Sequence, residues 1–190
     1  MLQDGSHGDP DADIADAELM RRTRDGDREA FATLIRRHQQ GLVNFFHRLG
    51  AHNDAEDLAQ TAFLKLFEYR FRYRETAKFT TFLYTLARHA WIDGYRRSKR
   101  REAYADERRA AGEELDTASA VRAHAKLDAE AALEQLPEKL RSVVVMGICQ
   151  DMSYEDIGAI LRIPVGTVKS RMFNALRKMK EYFDGKGASE

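Results

Sequence analysis

One cysteine, three prolines and no net charge are what this 190-residue chain has least of, 31 basic residues being balanced by 31 acidic ones. Each scarcity excludes something. A lone Cys149 cannot form a disulfide within the chain, and such usage fits a reducing cytoplasm. Set among Val145, Met146 and Ile148, it reads as a small core residue. No segment approaches the ~20 apolar residues that cross a bilayer, and the acidic N-terminus lacks a signal-peptide core. A soluble, cytoplasmic protein without membrane insertion is expected. Charge neutrality means that any nucleic-acid surface must come from local segregation of charge. There is no Gly-rich phosphate loop, nucleophile elbow or Cys-His pairing. Six histidines are scattered, and the nearest group (His47, His52, Asp54, Glu56) straddles a helix break without metal-ligand spacing. The sequence therefore offers no catalytic residues, no metal site and no cofactor.

What is present is helix periodicity. Ala, Leu, Arg and Glu are plentiful, and the triplet Val143–Val145 sits inside a helical pattern as buried helix rather than strand. The spacing predicts an all-α protein made of two small helical domains joined by an acidic flexible linker. Residues 1–15 form an acidic, Gly-containing tail expected to be disordered. The first domain, 16–101, opens with a short helix ending at Gly26. Asp27 caps a longer one carrying Phe31, Leu34, Ile35, Leu42, Phe45, Phe46 and Leu49, which Gly50 ends. A third helix starts at Asn53 or Asp54. After the connector Tyr69-Arg-Phe-Arg-Tyr-Arg74, a fourth runs from about Ala77 into the basic run Arg96–Arg101. Residues 102–132, with eight acidic and four basic residues, read as the linker, partly helical at best. The second domain, 133–183, precedes a short polar tail, 184–190.

Residues 153–171 carry the clearest motif. Ser153 is placed to cap a short helix, with Asp156 as box partner and Ile157, Ile160 and Leu161 as its buried face. Pro164 stops that helix, Gly166 allows the turn, and Thr167–Lys180 resumes as a cationic helix. This is the layout that lays a recognition helix in the major groove. Val168, Met172, Ala175, Leu176 and Met179 are expected to face inward. Thr167, Lys169, Ser170, Arg171, Phe173, Asn174 and Arg177 are the candidates for duplex contact.

On the fourth helix, aromatics interleave with bases, the pattern of a single-strand platform. Its candidates are Lys78, Phe79, Arg88, His89, Trp91, Arg96, Arg97, Lys99, Arg100 and Arg101, though Phe82, Leu83, Leu86 and Trp91 also read as core. In the third helix, acids in the first turn suit the helix dipole. Asp57 and Gln60, with Lys65, could instead form a polar face for a protein partner.

Two motifs together resemble a known family. Asp54-Ala-Glu-Asp-Leu-Ala-Gln-Thr-Ala-Phe63 with Phe82-Leu-Tyr-Thr-Leu-Ala-Arg-His-Ala-Trp-Ile-Asp-Gly-Tyr-Arg96 resembles region 2 of bacterial sigma factors. Leu136-Pro-Glu-Lys-Leu-Arg141, Ser153–Ile157 and Gly166–Arg171 resemble their region 4. With no middle domain, the chain is similar to the extracytoplasmic-function (ECF) class. The resemblance implies that Asp54, Asp57, Gln60 and Phe63 dock on the beta-prime clamp helices of core RNA polymerase. It implies a fourth helix that recognises and melts the −10 element as single strand, and a second domain that reads −35 as duplex. The surface near Val143–Ile148 would meet the beta flap, and an anti-sigma factor is a further expected partner. His89 stands where Asn is common, Asn174 where Arg is frequent, and Gly158 where Ala is usual, at about 1 kcal/mol of helix stability. A LuxR-like regulator acting without polymerase would explain Gly166–Arg171 but not the first motif, and a third reading is a helical adaptor that binds only protein partners and uses its basic runs for solubility.

Overall fold

The computed structural model describes residues 15–74, 78–105 and 122–187, with no description of the side chains at 95–105, 122–127 and 186–187. Expectations for the tail 1–14 and for residues 106–121 of the linker lie outside the described residues.

Every regular element among the described residues is helical. The order is α1 (Asp16–Arg24), α2 (Arg28–Leu49), α3 (Ala55–Glu68), a 3₁₀ turn (Arg70–Arg72), α4 (Phe79–Ala105), α5 (Arg122–Glu134), α6 (Glu138–Val144) running into a π turn (Val145–Cys149), α7 (Tyr154–Leu161) and α8 (Val165–Gly187). The all-α expectation holds.

Local chemistry sets the boundaries. Asp27 accepts from the backbone N–H groups of Glu29 and Ala30 at 3.0 and 3.1 Å, which satisfies donors at the start of α2. Gly50, at φ +104°, closes that helix in the left-handed region that favours glycine. Between these caps, Leu34, Leu42, Phe45, Phe46 and Leu49 are buried, α2 packing on α1 and α3 and Phe45 meeting Tyr84 of α4. Asp16 ties α1 to α2 through Arg37 and His38, at 2.7 and 2.8 Å.

The C-terminal helices enclose Val143, Val145, Ile157, Ile160, Val168, Met172 and Ala175. Ser153 accepts from the Asp156 N–H at 3.1 Å and donates to its carboxylate at 2.7 Å, so the expected cap is present. Two expectations need correction. The reversal between α7 and α8 is made by Arg162 at φ +54°, whereas Gly166 already lies within the first turn of α8. Leu176 is 46% exposed, because one residue beyond Ala175 is about 100° further round the helix.

Gly158 also acquires a reason. Its carbonyl accepts from the Ile163 N–H at 3.0 Å, and a Cβ there would sit 3.0 Å from the Ile163 carbonyl oxygen. The helix propensity lost at this position permits the close turn.

The stretch 102–132, read from sequence as a linker that is partly helical at best, is helical at its two described ends. α4 continues to Ala105 and α5 begins at Arg122. The two helical groups pack on one another, mainly through α4 against α7 and α2 against the π turn.

Candidate polymerase and nucleic-acid interfaces

Three surfaces follow from this packing. The first is an open groove of about 320 Å³ between α2 and α3, lined by residues including Phe31, Ile35, Gln39, Gln60, Phe63 and Leu64. Gln60 lies on its rim and is exposed, as are Asp54 and Asp57. Phe63 is buried, so it forms the floor rather than a projecting contact. The residue that sequence reading missed is Leu64, 66% exposed. Its signal was legible: it falls outside the α3 stripe of Leu58, Ala62 and Leu66, so an apolar side chain there has no core to join. Phe67 extends the apolar surface and meets the Phe31 ring at 5.2 Å.

The second surface is α4. Lys78 is exposed and bonds Asp156 at 2.9 Å. Phe79 does not project as expected: it is buried against His38 and Tyr73, because the start of α4 packs over α2. Arg88 and His89 are half-buried, and Trp91 is only 9% exposed, donating to Glu138 at 3.3 Å. The side chains of Arg96, Arg97, Lys99, Arg100 and Arg101 lie outside the described residues, on a backbone that continues α4.

The electrostatics of this helix are set by crowding. Burial pushes the His89 imidazole below its ordinary value of 6.5, and the cations Arg162, Arg88 and Lys65 push the same way against Asp93. The native form is therefore the neutral ring, and the unfolded chain takes up the proton more readily. This contribution to stability is present above about pH 6.5 and is lost as pH falls through that value. Urea midpoints should consequently drop between about pH 7.5 and pH 5.5, and drop less in a His89→Asn chain. Equal drops in the two proteins would exclude His89 as the source.

The third surface is the outer face of α8. Lys169, Ser170, Phe173, Asn174 and Arg177 are exposed there, Phe173 at 68%. Thr167 is half-buried and its carbonyl accepts from the Ser170 hydroxyl at 3.0 Å. Arg177 pairs with Glu181 at 2.8 Å. Arg171, expected on this face, lies elsewhere. It is half-buried and lines a cavity of about 240 Å³ with Arg88, Trp91, Glu138, Leu161 and Ile163. The expected apolar flap surface is also smaller than its sequence suggested, since Val143–Met146 are buried and only Ile148, 58% exposed, projects. Among the described residues no group of three His, Cys, Asp or Glu side chains is arranged to hold a metal ion, and no helix is long and apolar enough to cross a membrane.

A helical N-terminal unit with an apolar groove, followed by a helix-turn-helix, is the arrangement of a promoter-recognition factor. The sequence agrees, matching the Sigma-70 region 2 family model over residues 34–101 and the Sigma-70 region 4 model over residues 126–179. It is 34% identical to the ECF RNA polymerase sigma factor SigW of Bacillus subtilis over 84% of this chain and 93% of that protein. It is 30% identical to the ECF RNA polymerase sigma-E factor of Escherichia coli K12 over 85% of this chain and 91% of that one. The chain belongs to the ECF RNA polymerase sigma factors. Its function is accordingly in transcription initiation, where it binds core RNA polymerase and promoter DNA. The LuxR-like alternative loses its ground, because residues 34–101 are accounted for by region 2. The fold is also that of CnrH, solved with the cytosolic domain of CnrY (TM-score 0.69, 22% identity, 90% of this chain and 97% of that one). It is likewise that of RpoE, solved with the anti-sigma factor NepR from Bartonella quintana (TM-score 0.69, 23% identity, 81% and 96%).

Proposed function

We propose a division of labour among the three surfaces. The α2–α3 groove, lined in part by Gln60 and with Asp57 exposed on the same helix, takes the clamp helices of the polymerase beta-prime subunit. α4, with Lys78, Arg88, His89, Trp91 and the basic run beyond it, recognises and opens the −10 element. The outer face of α8 reads the −35 duplex through Lys169, Ser170, Phe173 and Asn174. Residues 16–101 and 133–183 act as the two modules of this grip, working in the cytoplasm and performing no covalent chemistry. An anti-sigma protein is proposed as the factor's regulator. The observation that carries the reading is the segregation on α8: cations, a hydroxyl, an amide and an exposed aromatic on one face, with the apolar residues opposite.

Transcription by core polymerase from a supercoiled promoter library tests the reading directly. Lys169→Ala is expected to weaken promoter binding across sequences and reduce the log–log salt slope by about one, as loss of a phosphate contact does. Phe173→Ala is expected to relax discrimination at one −35 position, since an apolar side chain there can meet a thymine methyl. Unchanged salt slope and −35 preference in these variants would remove α8 as the reader.

A further inference from the structure

The cavity of about 240 Å³ that Arg171 faces is one-sided in charge. Arg88 of α4, Lys139 of α6 and Arg171 of α8 all line it, with Glu138 as the one acid among the lining residues. Glu138 is already engaged, accepting from Trp91 Nε1 at 3.3 Å. Among the described residues, the side chains of Arg88, Lys139 and Arg171 make no hydrogen bond or ion pair. Burial and the nearby Arg162 push the Arg88 guanidinium below its ordinary value, against the pull of Glu138. The cavity thus holds positive charge that the protein does not neutralise, and an anion entering it would relieve that cost.

The rest of the wall is apolar, with Phe45, Leu49, Trp91, Leu161 and Ile163 among its residues. Apolar walls with a few convergent charged groups are the ordinary form of a small-molecule site. The volume falls just below the ~300–1,000 Å³ usual for such sites, which suits a single ring bearing one anionic group. Arginine is the side chain best matched to phosphate, because its planar fork donates two parallel hydrogen bonds to two oxygens. Placed on different helices, Arg88 and Arg171 could approach one phosphate from two sides. A DNA strand carries its phosphates on a continuous chain, for which a small space bounded by three helices leaves no room.

We propose that this cavity binds a small phosphate ester with a ring-sized apolar body, its phosphate held by Arg88 and Arg171 with Lys139 beside them, and its ring against Trp91. Such a molecule would act as an effector of the factor. Occupancy would engage Arg88 and Trp91, two residues of the proposed −10 surface, and so compete with the promoter strand. That consequence alone rests on the reading of α4; the site itself does not.

Trp91 is the only tryptophan of the chain, so its fluorescence reports on the site directly. The protein is titrated with phenyl phosphate, inorganic phosphate and phenol at constant ionic strength. Phenyl phosphate should give a saturable change and bind about tenfold or more tightly than either fragment, because it alone uses both the cations and the apolar wall. Arg171→Gln should weaken its binding about tenfold. Lys178→Gln, the same charge loss at an exposed position of α8, should change it less than about twofold. Glu138→Gln keeps an oxygen for Trp91 but removes a charge of the ligand's own sign. It should tighten binding about threefold, a gain that misfolding cannot mimic. No saturable change, affinity no better than a fragment's, or equal weakening in Arg171→Gln and Lys178→Gln would overturn the site. Tighter binding of the dinucleotide d(TpA) than of phenyl phosphate would also overturn it, assigning the cavity to the promoter strand. If phenyl phosphate binds but does not displace a single-stranded −10 oligonucleotide, the reading of α4 fails and the site stands.

Discussion

A Leu64→Asp chain is expected to bind core RNA polymerase about 30-fold more weakly, or worse, with its helix content and melting temperature unchanged. The magnitude is that of a central apolar contact, ~2 kcal/mol or more when lost. Leu64 stands 66% exposed at the edge of the groove formed by Phe31, Ile35 and Phe63, and no buried contact holds it in the fold. An exposed leucine beside an apolar groove gains by being covered, and a helix laid in a groove is a recurrent way to cover it. Aspartate there would carry a charge into the contact, beside Glu56 and Asp57. Fluorescence anisotropy of labelled protein titrated with core polymerase measures the loss. Gln60→Ala, on the groove's polar rim, should cost less. Wild-type affinity in Leu64→Asp would move the docking site off this groove.

Phe45→Ala should have the largest effect on stability, about 3–5 kcal/mol. Phe45 is fully buried and meets Phe46 and Tyr84 in edge-on contacts with ring centroids 5.3 and 5.1 Å apart. Removing the ring loses its transfer energy and leaves a cavity beside α2, which is capped at both ends, so collapse around the void is restricted. The melting temperature of a chain this size should fall by roughly 6–20 °C. Phe45 also lines the seam between the two helical groups, so the loss should be felt in both at once. Calorimetry showing a fall below about 1 kcal/mol would mean that the site collapses freely.

Much of this was legible along the chain. The Asp27 and Gly50 caps, the α2 stripe and the Ser153–Asp156 box are local events, each decided within about four residues by hydrogen-bond geometry or by glycine's freedom at positive φ. The family motifs lie on those same helices. Other readings failed where one position satisfied two patterns. Phe79 looks like a contact because it is aromatic beside polar residues, and it is buried because a neighbouring helix lies over it. Gly166 looks like the turn, yet Arg162 makes it, since the Gly158–Ile163 bond fixes where α7 must end.

The sequence by itself determined the helices, their caps, their apolar faces and the family to which they belong, because these depend on neighbours three or four residues away. Only the tertiary structure decided which side of α4 is covered, that Phe79 is buried and that Arg171 faces a cavity instead of the open face of α8. Those outcomes rest on pairs such as Lys78 with Asp156 and Trp91 with Glu138, dozens of residues apart. A periodicity says that a face is apolar or charged, but what covers that face is set by the packing of distant segments.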